Sequence, residues 1–108
     1  MSINSASPMQ THAPNLSTIS LAQWRTFCVV AQNGGKFSLA AQAIYKSQPG
    51  VSRQIALIEQ ALSAPLFIRE GKHIAGLTSL AQHLLPAVER LLLAAEQISH
   101  TAADALNQ

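Results

Sequence analysis

The stretch Ser47–Leu62, SQPGVSRQIALIEQAL, predicts one helix with two different faces. Its apolar residues recur at helical spacing in a single stripe that faces a core, namely Val51, Ile55, Ile58 and Leu62. The opposite face carries short polar groups and one arginine, namely Gln48, Ser52, Arg53 and Ala56. Ser47 is a good N-cap, and Pro49 falls in the first turn, where its missing N–H costs nothing.

The polar face of this helix suits close approach to a DNA major groove. Small side chains near the start of a helix let it come near the base edges, and Arg or Gln at such positions makes bidentate bonds to guanine or adenine. An ordinary amphipathic surface helix has the same pattern, so only the neighbouring segments decide between the two interpretations.

The segment before this helix predicts two further helices. Residues 1–19 are rich in Ser, Thr, Asn and Pro, and we expect a disordered leader there. Ser20 and Gln23 have the spacing of a capping box, and an inward stripe follows, made of Leu21, Trp24, Phe27, Cys28 and Ala31. Gly34 and Gly35 end that helix, and Ser38 is the predicted cap of a short second helix, Leu39–Ile44. A tight turn at Tyr45 and Lys46 then completes a helix-turn-helix.

The segment after Leu62 predicts a β-hairpin wing. Ser63, Ala64 and Pro65 break the helix, and Leu66–Arg69 and Ile74–Thr78 can pair as short strands. The turn carries three basic or titratable side chains that could lie along a phosphate backbone or reach a minor groove, Arg69, Lys72 and His73. A plain solvated turn remains the alternative.

From Leu77 the chain predicts a long helix with a heptad seam. Its apolar residues alternate spacings of four and three: Leu77, Ala81, Leu84, Val88, Leu91, Ala95, Ile98, Ala102 and Ala105. Such a seam favours a helical partner, although a helix that packs only on its own domain is the alternative. Pro86 lies inside and removes one backbone hydrogen bond, so we expect a kink near Gln82 or a compensating partner.

Composition and charge exclude several classes of protein. The 108 residues suffice for one compact domain, with 48% hydrophobic and 11% charged residues and no apolar run long enough for a membrane span. With no secretory pattern at the N-terminus, we expect a cytoplasmic location. Cys28 is the only cysteine and is predicted to be a buried thiol, so no intramolecular disulfide or cysteine-based zinc site is expected.

Charge is segregated along the chain. The net charge is +4 from Leu21 to Thr78, with six basic and two acidic residues, and −2 from Ser79 onward, with one basic and three acidic residues. This division suggests a head that binds a polyanion and a helical tail with another role.

The run SLAAQAIYKSQPGVSRQIALIEQALSAPLFIR, residues 38–69, resembles the N-terminal DNA-binding domain of LysR-type transcriptional regulators. The resemblance extends from Leu21 to about Glu96. It rests on the Ala-Ala pair in helix two, the Ser-Gln-Pro start and Ser-Arg-Gln of the following helix, and the Leu-Phe-x-Arg entry to the wing. The GKHI turn looks like the branch of that family that controls sulfur assimilation.

This resemblance implies a mainly α winged helix-turn-helix that dimerises through its long C-terminal helix and binds an interrupted palindrome upstream of a promoter. Four residues match the family's base-facing positions, Gln48, Pro49, Ser52 and Arg53. Five match positions that commonly meet the backbone or minor groove, Ser38, Ser47, Arg69, Lys72 and His73. Seven seam residues fall in the dimerisation helix, Leu77, Ala81, Leu84, Val88, Leu91, Ala95 and Ile98.

The sequence departs from the family pattern in two ways. The residues from Leu77 to Ala81 differ from the usual start of the linker helix, which puts its packing there in question. The family's effector-binding domain, two α/β lobes, is not included; the chain is either a fragment, which we expect, or a gene product that lacks its sensor domain.

We therefore expect a winged helix-turn-helix domain over residues 20–78 and a linker helix over 79–106. The predicted partners are double-stranded DNA and a second copy of the chain, with higher oligomers in a full-length protein and no membrane. The four histidines lack metal-ligand spacing and have no carboxylate pair nearby, so no cofactor, metal or enzymatic activity is predicted. A winged-helix module that binds protein instead of DNA is the alternative.

Overall fold

The computed structural model describes residues 15–108 and consists of four helices and one two-stranded antiparallel sheet. The elements, in chain order, are α1 (Leu21–Gln32), α2 (Phe37–Ala43), α3 (Gln48–Leu62), β1 (Phe67–Glu70), β2 (His73–Leu77) and α4 (Ser79–Leu106). This arrangement confirms the predicted winged helix-turn-helix with a long C-terminal helix.

Helix α1 begins where its capping box was predicted. The Gln23 N–H donates to Ser20 Oγ at 3.1 Å, and the Ser20 N–H donates to Gln23 Oε1 at 2.8 Å. Of the predicted stripe, Trp24, Phe27 and Cys28 are buried, whereas Leu21 is exposed.

The packed part of the chain starts before α1. Residues 1–14 of the predicted leader lie outside the described part. Within residues 15–19, the Ile19 N–H donates to Leu16 O at 3.0 Å, and both side chains pack against the core. The apolar character of these two residues explains why the predicted leader is too long at its C-terminal end.

Helix α2 differs from its prediction at the start. It begins at Phe37 with Lys36 as N-cap, and no side-chain hydrogen bond caps it. Ser38 therefore lies inside the first turn and is not the cap. The reason is that Phe37 must enter the helix to pack its ring on Phe67, with centroids 5.8 Å apart.

Helix α3 has the predicted N-cap and apolar stripe. Ser47 Oγ accepts the Gly50 N–H at 3.1 Å, and Val51, Ile55 and Ile58 are fully buried. The helix ends at Leu62, and its C-cap Ser63 has a left-handed backbone at φ +56°. The stripe turns the opposite face of α3 toward solvent.

The wing is attached to the helical core at its base. Phe67 in β1 is buried and contacts Phe27 and Phe37 in an aromatic cluster. Its strands pair from Phe67 opposite Leu77 to Glu70 opposite His73, with an irregular register after Ile68. Each strand is one residue displaced from its predicted bounds, since the pairing includes Glu70 and His73 and leaves Leu66 and Thr78 outside.

Thr78 joins the wing to α4. Its hydroxyl donates to Pro65 O at 2.9 Å and accepts the Ala81 N–H at 3.2 Å, while its own N–H donates to Leu66 O at 3.0 Å. Thr78 is thereby the N-cap of α4 and also its tether to the start of β1.

The first half of α4 packs on its own domain. Ala81 and Val88 are buried, at 0% and 5% exposure, and four leucines pack beside them, namely Leu80, Leu84, Leu85 and Leu92. Our assignment of Ala81 and Val88 to dimerisation therefore needs correction, because their side chains have no surface left for a partner. The heptad pattern did not separate intramolecular from intermolecular packing. Leu91 and Ile98 of the same seam are exposed, at 42% and 70%.

Cys28 is buried between α1 and α4, as predicted, and its thiol is free. Burial, and to a lesser degree the nearby Glu89 carboxylate, raises the pKa of the Cys28 thiol to about 11. The thiol is thus protonated at neutral pH and behaves as a small apolar group.

Candidate nucleic-acid interface

The exposed face of α3 carries all the side chains predicted to face bases. Gln48, Pro49, Ser52 and Arg53 are exposed, as is Ala56 between them and the C-terminal half of the helix. Because Val51, Ile55 and Ile58 fix the opposite stripe in the core, rotation of α3 about its axis is prevented. The outward face is therefore held in one orientation, with small side chains around a single guanidinium.

A groove of about 630 Å³ runs along one edge of α3, between that helix, the start of α2 and the wing. It brings together six predicted site residues, namely Ser38, Gln48, Ser52, Arg69, Lys72 and His73. Ser47, Pro49 and Arg53 lie outside its lining. Residues that are far apart in the sequence thus share one concave surface beside the exposed helix face.

The groove also contains Lys36, which was not among the predicted site residues. Lys36 follows two glycines and precedes α2, and it shares the groove with Lys72 because the wing lies against this turn. The only signal in the sequence was a basic residue next to a predicted helix start. Lys36 and Lys72 give the groove two exposed ammonium groups, and the lining contains no carboxylate within the described residues.

Arg69 is partly committed to contacts within the chain. Its guanidinium Nη2 lies 3.2 Å from Glu59 Oε1, and its Cζ lies 5.6 Å from the centroid of the Phe37 ring. Its side chain is still 46% exposed, against 17% for Glu59. One edge of the Arg69 guanidinium is therefore held by Glu59, while the opposite edge can face an anion in the groove.

Glu59 links α3 to the wing through two hydrogen bonds. Its Oε2 accepts the Leu66 N–H at 2.7 Å, and its Oε1 accepts from Arg69 at 3.2 Å. Since Glu59 lies in α3 and the two donors lie in and just before β1, the helix and the wing are held in one relative position. Because the exposed face of α3 and the wing are fixed relative to each other, together they suit a rigid ligand with a repeating structure.

The glycine turn before α2 fits closely against the wing. Gly35 is buried with φ +80°, and a Cβ on it would lie 2.5 Å from Ile74 Cγ2. Only glycine permits both this backbone conformation and this approach. The contact places Lys36 and the start of α2 beside β2, and so closes one end of the groove.

The described residues form neither a metal-binding cluster nor a membrane-spanning helix. Across residues 15–108, no group of three His, Cys, Asp or Glu side chains is arranged to hold a metal ion. In the same part of the chain, none of the helices has the length and apolar character needed to cross a bilayer.

Comparisons with known proteins agree with this architecture. The family described as "Bacterial regulatory helix-turn-helix protein, lysR family" matches residues 21–82, more than half of the chain. The regulator CysB of Burkholderia cenocepacia is 34% identical over 86 residues, which cover 80% of this chain and 28% of CysB. The regulator SsuR of the same organism is 42% identical over 62 residues, which cover 57% of this chain and 20% of SsuR.

Solved structures match over a similar part of the chain. A crystal structure of a complex of the CbnR DBD with DNA has a TM-score of 0.72 and 28% identity, covering 81% of this chain and 98% of that one. Oxidized OxyR of Corynebacterium glutamicum has a TM-score of 0.70 and 30% identity, covering 86% of this chain and 28% of that one. The chain thus spans less than a third of the length of CysB, SsuR and OxyR.

Proposed function

Since the chain belongs to the lysR family of bacterial regulatory helix-turn-helix proteins, we propose that it is the DNA-binding part of a transcriptional regulator and recognises a specific sequence in double-stranded DNA. Residues 20–78 act as the DNA-binding domain and residues 79–106 as the linker and dimerisation helix. The protein works in the cytoplasm, where bacterial DNA lies, and is not an enzyme.

The observation that carries this proposal is the exposed face of α3 beside the basic groove. A helix with small side chains near its N-terminus can enter the major groove, where Arg53 and Gln48 reach base edges. Lys36 and Lys72 then lie at the flank, where a phosphate backbone runs. Base contacts by Gln48, Pro49, Ser52 and Arg53 supply specificity. Backbone contacts by Ser38, Ser47, Arg69, Lys72 and His73 supply position and affinity.

Dimerisation is the second part of the proposal. Leu91 and Ile98 lie on one side of α4, seven residues apart, and both are exposed in the single chain. Pairing of two α4 helices would remove this apolar strip from water. Two-fold symmetry would then present two α3 helices to two half-sites, so that the operator is an interrupted inverted repeat. The two helices of this proposed dimer pack antiparallel, an orientation that the resemblance to the family implies.

A winged-helix module that binds protein is the competing function. Such a module would be expected to carry acidic or apolar residues on the outward face of α3. Gln48, Ser52 and Arg53 at this face, together with the two lysines of the groove, favour a polyanion.

The branch of the family stays a prediction. The sulfur-assimilation branch is proposed from the GKHI turn, and the relatives of the chain include CysB and SsuR. A relative named IlvR from Caulobacter vibrioides is 38% identical over 82 residues, so identity alone does not separate the branches.

Selection of duplexes from a random pool, followed by footprinting, tests the proposed function. We expect the purified chain to enrich one motif with two-fold symmetry and to protect two half-sites on the same face of the duplex. Enrichment of no motif, with binding that depends only on salt and duplex length, would leave a non-specific basic domain and refute specific recognition.

A further inference from the structure

Tyr45 has a backbone conformation that favours glycine and a side chain that contacts almost nothing. Its φ is +56°, and its side chain is 96% exposed. The Tyr45 N–H donates to Gln42 O at 3.3 Å, and the Lys46 N–H donates to Ala41 O at 2.9 Å. These are the two bonds of a Schellman helix end, in which the left-handed position is usually glycine. A tyrosine there disfavours the turn, and no burial of its ring offsets this effect.

The position of this residue suggests what the side chain contributes. Tyr45 lies two residues before Ser47, the N-cap of α3, and Lys46 beside it is exposed. Lys46 lines a depression with Gln54 of α3 and with Ser20 and Gln23 at the start of α1. Gln54 lies roughly 200° around the helix axis from Ser52, which lines the basic groove. Lys46 therefore borders the edge of α3 opposite the groove.

A helix in the major groove meets a phosphate backbone on each side. The groove is about 12 Å wide, and a helix with its side chains has a diameter of roughly 10–12 Å. Lys36 and Lys72 stand on only one of the two edges of α3. The turn before α3 presents an exposed phenol, Tyr45, and next to it a cation, Lys46, which borders the other edge.

We propose that Tyr45 and Lys46 bind the second strand of the duplex, on the side of α3 away from the wing; this inference rests on the proposed function. The Tyr45 phenol O–H donates to a phosphate oxygen, and the Lys46 ammonium neutralises a phosphate of the same strand. The recognition helix is then held between two backbone contacts and not by the wing alone. Tyr45 is a positioning residue, since it touches no base.

Binding of a 30-base-pair duplex of unrelated sequence tests this proposal, because backbone contacts do not require the operator. Tyr45→Phe removes only the hydroxyl group and should weaken binding about tenfold, without changing the dependence of the affinity on salt concentration. Tyr45→Gly should weaken binding at least as much, while its melting temperature rises because glycine suits the turn. Lys46→Gln should lower the salt slope by about one unit per protomer.

Ser63→Gly is the matched control. Ser63 has the same φ of +56° at the other end of α3, so its replacement should also raise the melting temperature. Its affinity for DNA should stay within about twofold of the wild type. Of these two left-handed positions, only Tyr45 should give variants that combine a stable fold with weaker binding.

The outcomes separate this inference from the proposed function. If the wild type binds no duplex at all, the proposed function fails. If the wild type binds and both Tyr45 variants bind equally well, Tyr45 does not contact the backbone and the inference is overturned. Loss of promoter activity with unchanged DNA affinity would also overturn it, and would assign Tyr45 to a protein contact. An unchanged salt slope for Lys46→Gln removes Lys46 from the contact.

Discussion

Gly35 and Ile74 touch where the turn before α2 meets the wing, with 2.5 Å between Ile74 Cγ2 and the place where a Cβ on Gly35 would lie. Replacement of Gly35 by alanine would force the wing away and place a side chain at φ +80°. We expect Gly35→Ala to lower the free energy of unfolding by about 2–4 kcal/mol in urea denaturation. Gly34→Ala is the control, since φ is +67° but no atom lies within 4 Å, and about 1 kcal/mol is expected. Addition of Ile74→Ala to the Gly35→Ala variant should recover part of the lost free energy of unfolding. If it recovers none, the strain does not arise from the contact with Ile74.

Arg53→Ala should reduce discrimination between DNA sequences. An arginine near the start of a recognition helix can bond to guanine O6 and N7, which contributes about 1–3 kcal/mol of specificity. Affinity for the selected operator should fall more than affinity for unrelated duplex, as measured by competition binding. Equal losses on both duplexes would make Arg53 a phosphate contact.

Lys72→Gln and Lys36→Gln should weaken binding to all sequences alike. Each removes a cation from the groove, so each should lower the salt slope by about one unit per protomer and leave the preferred motif unchanged. Titrations at several salt concentrations measure the slope. A change in the selected motif for either variant would contradict a pure backbone role.

Leu91→Asp should uncouple the proposed dimer. Leu91 is 42% exposed in the single chain, so a charge there leaves the domain core intact. In the dimer the same charge is buried against the partner helix, which costs several kcal/mol. Sedimentation equilibrium measures assembly, and circular dichroism measures folding. Leu93→Asp is the control, since Leu93 is exposed on a different side of α4, about 200° from Leu91. A monomeric wild type at tens of micromolar, or a dimeric Leu91→Asp variant, refutes this dimer.

Cys28 should make stability depend on pH in the alkaline range. Its folded pKa of about 11 exceeds the ordinary value of 9.0, so folding favours the protonated thiol. The contribution is fully present below pH 9 and is lost as pH rises from 9 to 11, by about 2–3 kcal/mol for a two-unit shift. The wild type should therefore lose more stability over this interval than Cys28→Ala, in which the other groups still titrate. Parallel curves for the two proteins would show that the thiol does not contribute.

Local signals in the sequence were enough for the helix-turn-helix. The Ser20–Gln23 capping box, the Ser47 cap and the stripe of Val51, Ile55 and Ile58 involve residues close in the chain, and the structure has all of them. The cap of α2 was misplaced at Ser38, because Ser is a better N-cap than Lys. Packing of Phe37 on Phe67 overrode that preference.

The contacts that build the groove could not be predicted from the spacing of residues in the sequence. Gly35 meets Ile74 and Arg69 meets Glu59 across turns whose geometry no periodicity encodes. Lys36 was missed for the same reason. In α4, a spacing of four and three fits both a coiled coil and a helix on its own core, so only the burial of Ala81 and Val88 reveals which half packs inward.

The Thr78 hydroxyl is bonded both to Pro65 O before β1 and to the Ala81 N–H in α4, so it holds the start of α4 at the base of the wing. Its 28 residues extend about 42 Å, so a tilt of 10° at Thr78 would move the far end by about 7 Å. That displacement equals about two base-pair steps of 3.4 Å along a duplex. In a dimer joined through α4, the distance between half-sites would thus depend on how Thr78 and the core packing of Ala81 and Val88 hold α4 on the domain.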